Sequence, residues 1–259
     1  MSSSNDVPVA VVTGAARGLG RATALRLGVA GYRIVVTARS SRDRRHPMFA
    51  GTVEDVSDEL ERAGIEAYAI PADLATEGAP GEIHAKTIER FGRCDVLVNN
   101  AAYSPVEPFL LMPPSKWRAA LMVNVWAPTA LTRWFLPAMV ERGSGAIINV
   151  SSGSAVENIP STAPYCVTKA ALERLTETVA AEIAGSDVIV TSVRIAERIA
   201  TEADLMMRSR GIGDSGAVAD ETSPEQFAEA LLWMVGQKRL QGRTLTLAEL
   251  RASGAIAGN

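Results

Sequence analysis

The sequence predicts a doubly wound α/β fold, a seven-stranded and mainly parallel sheet with helices on both faces. Three observations lead there. Short β-branched apolar runs alternate with longer stretches of helical period. Most of the runs are apolar throughout rather than alternating, as strands covered on both faces must be. The stretches between them are long enough to cross over the sheet. At 259 residues the chain has ample length to bury such a core in one domain spanning residues 1–259.

In order, the runs are "VPVAVVTG" (7–14), "RIVVTAR" (33–39), "EAYAIPADL" (66–74), "CDVLVNNA" (94–101), "GAIINVSS" (145–152), "VIVTSVRI" (188–195) and "RTLTLAEL" (243–250). Between the fifth and sixth lies "APYCVTKAALERLTETVAAEIAG", in which Leu172, Leu175, Val179 and Ile183 recur at helical spacing. In such sheets ligands sit beyond the carboxyl ends of the strands, where the strand order reverses. The ends of the seven runs are therefore where a site is expected.

Composition narrows the class of function. Apolar residues make up 47%, charged residues 21%, and the net charge is -3. A mildly acidic chain lacks the basic face that nucleic acid or an anionic membrane requires. No apolar run approaches the ~18 residues of a membrane span, and "MSSSNDVPVA" does not read as a secretory leader. The two cysteines, Cys94 and Cys166, suggest no disulfide framework, so reduced thiols and a cytoplasmic location are expected. Neither His46 nor His84 has a Cys/His cluster near it; both read as surface residues, and no metal site is expected.

The first run ends in "T-G-A-A-R-G-L-G" (Thr13–Gly20) and leads into a helix. Gly14, Gly18 and Gly20, with Arg17 and Leu19 between them, allow a tight turn whose backbone can approach a diphosphate. The helix N-terminus adds free N–H groups and a positive dipole end. Where an NAD site wants an acidic residue, the second run ends in Ala38-Arg39. Arg39 offers a planar fork suited to a 2′-phosphate, and Arg17 is close enough to join it, so NADP(H) is expected over NAD(H). Arg42, Arg44 and Arg45 read as a solvated charge run. Asp73 and Asn99-Asn100 end the third and fourth runs, where a helix cap and a turn are the alternatives to function.

Tyr165 and Lys169 lie four apart in a helical stretch, on one face. A cation beside a phenol favours the phenolate and would bring Tyr165 toward neutral pH, where it exchanges a proton with a carbonyl or alcohol oxygen. Thirteen residues earlier, Ser152 could hydrogen-bond the same oxygen, while Ser151 reads as a turn residue.

Together these residues resemble the short-chain dehydrogenases/reductases, from about residue 7 to 247. The matches are T-G-x-x-x-G-x-G at Thr13–Gly20, Asp73-Leu74, "N-N-A-A" at Asn99–Ala102, Asn124 in "MVNVW", Ser152, and Tyr165-x-x-x-Lys169. The resemblance implies a Rossmann-type domain binding NADP(H). It implies that Tyr165 is the general acid or base, that Lys169 holds the nicotinamide ribose and lowers the Tyr pKa, and that Ser152 polarises the substrate oxygen. Asn124 would anchor a water leading from Lys169 to solvent. Asp73 would meet the adenine amino group, with Leu74 and Ala101 flanking the nucleotide and Asn100 near the adenine-side ribose. Two departures stand out: Ile195-Ala196 replace the family's Pro-Gly, with Thr201 one place late, and the C-terminal Val-Asp-Gly-Gly is absent.

The expected activity is NADPH-dependent reduction of a ketone or aldehyde. An oxidative alcohol dehydrogenase and a catalytically silent NADP(H)-binding sensor are the alternatives. Apolar residues in 103–115 (Phe109, Leu110, Leu111, Met112) and in a lid over about 196–222 (Leu205, Met206, Met207) suggest a small-molecule carbonyl or alcohol with apolar surface, or else local packing. Helices near 115–141 and 164–184 are apolar on more than one side, with Trp117, Trp126 and Trp134 in the first, so a homodimer or homotetramer is expected.

Overall fold

The computed structural model describes residues 7–199, 201, 202, 204 and 222–256. Seven strands form one sheet in the order β3-β2-β1-β4-β5-β6-β7, every pairing parallel. They are β1 (Val9–Thr13), β2 (Arg33–Ala38), β3 (Ala67–Pro71), β4 (Val96–Asn99), β5 (Ala146–Ser152), β6 (Ile189–Ile195) and β7 (Thr244–Thr246). The expectation of a mainly parallel sheet is thus sharpened to a wholly parallel one. The chain winds outward from β1 to β3, returns to β4 beside β1, and winds the other way, so the order reverses between β1 and β4.

Successive side chains of a strand point to opposite faces, and each face has its own core. Ala10 and Val12 of β1 face α1 (Gly18–Val29), α2 (Val53–Arg62) and α7 (Pro224–Val235), with Leu27, Leu60 and Phe227 fully buried among them. Val9 and Val11 face α3 (Ala79–Phe91) and α5 (Ala127–Arg142), where Ile83, Leu131 and Met139 close the second core. Burying each such side chain contributes about 1.5–3 kcal/mol. The low-charge runs are therefore the centre of a three-layer sandwich.

Two predicted elements differ. The run 243–250 is strand only to Thr246; Leu247–Ala252 is helix α8. Thr246 caps it, accepting from Glu249 N–H while Glu249 accepts from Thr246 N–H, and this reciprocal cap ends the strand. The expected helix near 115–141 is α4 (Pro114–Leu121), a π turn (Met122–Trp126) and α5. The helix α6 (Ala163–Glu182) carries Tyr165 and Lys169 as expected.

Leu205, Met206 and Met207 and most of the expected lid lie outside the described residues. At its flanks, Ile199 and Thr222 form a parallel bridge. Glu197 accepts from Thr222 Oγ1 and, at 2.8 Å, from Arg251 Nη1 of α8. Among the described residues no helix is long and apolar enough to cross a membrane, and no cluster of His, Cys, Asp and Glu could hold a metal.

Candidate active site

The cleft opens beyond the carboxyl ends of β1, β4 and β5. The β1–α1 turn is shaped by close backbone approach. Gly14 (φ +67°) and Gly18 (φ +51°) adopt the left-handed region. A Cβ on Gly20 would lie 2.4 Å from the Gly14 oxygen and 2.6 Å from Asn100 Nδ2. Asn100 bolts this turn to β4: its Nδ2 donates to the Thr13 carbonyl at 2.8 Å, while its N–H donates to Thr13 Oγ1 at 3.0 Å. The Ala101 N–H donates to the same hydroxyl. The turn thus presents the N-terminal N–H groups of α1 to the cleft, with the Thr201 and Glu202 side chains beside Gly18.

Arg17, Gly18, Leu19, Gly20, Asn100, Ser152, Tyr165 and Lys169 line this one cavity together, with Thr201 and Glu202 on the opposite wall. Ser152 ends β5; its Oγ accepts from the Ser154 N–H at 3.2 Å and is hydrogen-bonded to the Tyr165 phenol. Lys169 is 2% exposed, and its Nζ donates to the Val150 carbonyl at 2.6 Å, 5.5 Å from the centre of the Tyr165 ring.

The electrostatics depart from the sequence expectation. Tyr165 is half-buried as a residue, but its hydroxyl is enclosed, and burial pushes its pKa above the ordinary value. The Ser152 hydrogen bond pulls it part of the way back. The shift is thus opposite to the one expected: desolvation raises the phenol, and the Lys169 ammonium is turned to the Val150 carbonyl. Burial lowers Lys169 to about 8, against a smaller upward pull from Glu173.

Asn124 stands behind the cavity rather than in its wall. The π turn aims its amide at the loop after β4, where it accepts from the Tyr103 N–H at 2.8 Å and donates to the Tyr103 carbonyl and to Thr168 Oγ1, both at 2.9 Å. It ties that loop to α6 beside Lys169. Asn99 lies inside β4 and donates to Asn149, so the turn reading of it fails. Asp73 lies two residues past β3, accepts from the Ala75 N–H and meets Arg44 Nη2 at 3.2 Å; Leu74 is buried. Arg44 is thus paired, not a free member of a charge run. Arg39 is exposed, without a hydrogen bond or ion pair among the described residues.

Sequence reasoning missed Glu173 and Glu202 and left Thr201 without a role. Glu173 stands one turn past Lys169, and that spacing could have marked it. Ser151 donates to Glu173 Oε1 at 2.6 Å, so Ser151 is a core hydrogen-bond donor rather than a turn residue. Thr201 and Glu202 reach the cleft because the chain after β6 folds back over the glycine turn, which no local pattern announces.

A model of the short chain dehydrogenase family matches residues 8–205, and the chain belongs to that family of oxidoreductases. It is 34% identical over 184 residues to the 3-oxoacyl-[acyl-carrier-protein] reductase FabG of Staphylococcus epidermidis, spanning 71% of this chain and 72% of that protein. The corresponding reductase of Synechocystis is 34% identical over 185 residues, with the same coverage. Among solved structures, a metagenomic short-chain oxidoreductase in complex with NADP matches with a TM-score of 0.75 and 32% identity, over 94% of this chain and 98% of that one. A variant of the actinorhodin polyketide ketoreductase with NADPH gives 0.83 and 25%, over 94% and 96%.

Proposed function

We propose that this protein is an NADPH-dependent reductase of a ketone or aldehyde, with Tyr165 as the proton donor. The observation that carries the reading is the meeting of the Ser152 hydroxyl, the Tyr165 phenol and the Lys169 ammonium with the α1 N-terminus in one cleft. The site fits a dinucleotide phosphate. The Gly20 position has no room even for a Cβ, Gly18 holds a left-handed turn, and Arg39 stands without an anion. The N–H groups of Gly18–Gly20 would hold the diphosphate, Arg17 and Arg39 the 2′-phosphate, and Lys169 the nicotinamide ribose.

Bound NADPH supplies the hydride that the carbonyl carbon receives. Ser152 donates a hydrogen bond to the carbonyl oxygen and orients it. Tyr165 transfers its proton to that oxygen as the alcohol forms; the raised pKa keeps that proton in place until then. Lys169 stands close enough to offset the phenolate that remains, and two of its hydrogens are free of Val150.

The substrate reading is a carbonyl compound with an apolar chain. Phe109, Leu110 and Leu111 are 66%, 93% and 68% exposed, on a loop tied to the start of α6 by the Glu107 N–H to Ser161 carbonyl bond of 2.8 Å. The relatives that reduce 3-oxoacyl groups support it. Leu121, Trp126 and Trp134 remain exposed on one helix pair, which supports a homo-oligomer; sedimentation as a monomer at micromolar concentration would contradict that.

The test is a panel of ketones, aldehydes and secondary alcohols followed by NADPH absorbance. Tyr165→Phe should lose on the order of 10²–10⁴ in kcat/KM while still binding NADPH. Full activity in the variant would refute Tyr165 as the donor.

A further inference from the structure

Two loops meet beyond the ends of β1 and β2: the turn carrying Arg17, and the β2–α2 loop, which starts with Arg39 and Ser40 and carries His46 and Phe49. Arg17 is fixed there. Its Nη2 donates to Ser40 Oγ at 2.9 Å and its Nε to the Ala50 carbonyl at 3.1 Å, which lays the guanidinium 5.2 Å from the centre of the Phe49 ring. The His46 ring packs on the same Phe49, centroids 4.8 Å apart. One aromatic ring therefore sets both a guanidinium and an imidazole beside Arg39.

The imidazole is also oriented. The Met48 N–H donates to His46 Nδ1 at 3.1 Å. A ring that accepts at Nδ1 carries its hydrogen at Nε2, so His46 is a hydrogen-bond donor even when neutral. Its side chain is half-exposed and open to a ligand.

Of the two cations that act on it, Arg39 has no anion bonded to it among the described residues. Burial first, then Arg17 and Arg39, disfavours the imidazolium. Arg42 of the same loop is paired with Asp58, and Arg44 with Asp73, while Asp43 and Arg45 are exposed. Glu202 acts on Arg17 from the cleft side. Two cations and a neutral donor thus gather beyond the end of β2, a combination that suits a compact dianion.

We propose that His46, through Nε2–H, is a third ligand of the adenosine 2′-phosphate beside Arg17 and Arg39, and so a residue that sets the choice of cofactor. This rests on the NADP(H) reading above. It goes beyond it because the strand-end arginine alone would explain a preference for the phosphorylated dinucleotide.

The experiment uses calorimetric titration of the whole protein with 2′,5′-ADP and with 5′-AMP, probes that differ only by the phosphate in question. His46→Ala should weaken 2′,5′-ADP by about tenfold or more, the range of a hydrogen bond to a charged group, and leave 5′-AMP unchanged. His46→Gln, which keeps a donor, should fall between. Unchanged binding of both probes by His46→Ala, or equal loss of both, would overturn the proposal. Wild-type protein that does not distinguish the probes would overturn the cofactor reading as well; a distinction that survives His46→Ala overturns only the role of His46. A second measurement needs no variant. The chain has two histidines, and His84 is packed against Trp134 on the other side of the sheet. In the wild type, the His46 Nε2–H resonance should shift with 2′,5′-ADP and not with 5′-AMP; identical shifts would again overturn the assignment.

Discussion

The carboxylate of Glu173 on α6 holds the guanidinium of Arg194 on β6 through two hydrogen bonds, Nε at 2.9 Å and Nη2 at 2.6 Å. With the Ser151 hydroxyl on the same carboxylate, one side chain joins α6, β5 and β6 directly below Lys169. Removing one member of a nearly buried pair strands the other. Glu173→Ala is expected to cost about 3 kcal/mol, the low end for such pairs because Arg194 keeps 23% of its side-chain exposure. Urea denaturation of the two proteins checks it; a loss within error of zero would show the pair to be incidental.

Lys169 imposes a pH dependence on stability. Burial lowers it from 10.5 to about 8 in the folded chain. Below about 8 both folded and unfolded chains carry the proton, and the folded chain bears the full cost of a buried charge. Between about 8 and 10.5 only the unfolded chain keeps it, so stability rises with pH; above that window the cost is gone. Lys169→Met should therefore gain on the wild type by about 3 kcal/mol more at pH 7 than at pH 10.5, read from denaturant midpoints at each pH.

Arg39 should decide between the two dinucleotides. Arg39→Asp puts a carboxylate where a 2′-phosphate is expected and offers an acceptor for ribose hydroxyls instead. The Kd for NADPH should rise and that for NADH fall, closing a gap in the wild type of about tenfold or more. Equal wild-type affinities for the two would contradict it before any variant is made.

Gly20 admits no methyl group. A Cβ there would press on the Gly14 oxygen, which is backbone and cannot rotate away. Gly20→Ala is expected to lose about 1–3 kcal/mol to overpacking and to weaken NADPH binding, measured by thermal unfolding with and without the dinucleotide. A variant with wild-type stability and affinity would show that the turn relaxes more easily than its contacts imply.

Much of this was legible in the residues. Runs apolar on both faces could only be parallel strands between helix layers, and strand ends carried Thr13, Asn100 and Ser152 to the cleft. Spacing alone put Tyr165 and Lys169 on one face of α6. What local pattern could not show was competition between forces. The cation expected to lower Tyr165 is itself desolvated and bonded to Val150, so burial prevails. The apolar ladder of "TLTLAEL" looked like strand until the Thr246 cap claimed its second half. Arg44 looked solvated because its partner, Asp73, is 29 positions away in the chain.

The π turn at Met122–Trp126 leaves one residue more in its turn than an α-helix would, a phase slip of about 100°. α4 and α5 are consequently read in two different frames. Ala120 on one side and Leu131, Phe135 and Met139 on the other meet the interior in a way that no single helical wheel can draw. Shortening this helix by a residue to restore an unbroken wheel would swing Asn124 away from Tyr103 and turn Trp126 and Trp134 to new bearings together, so that the loop after β4 and the outer tryptophan face share a common ratchet.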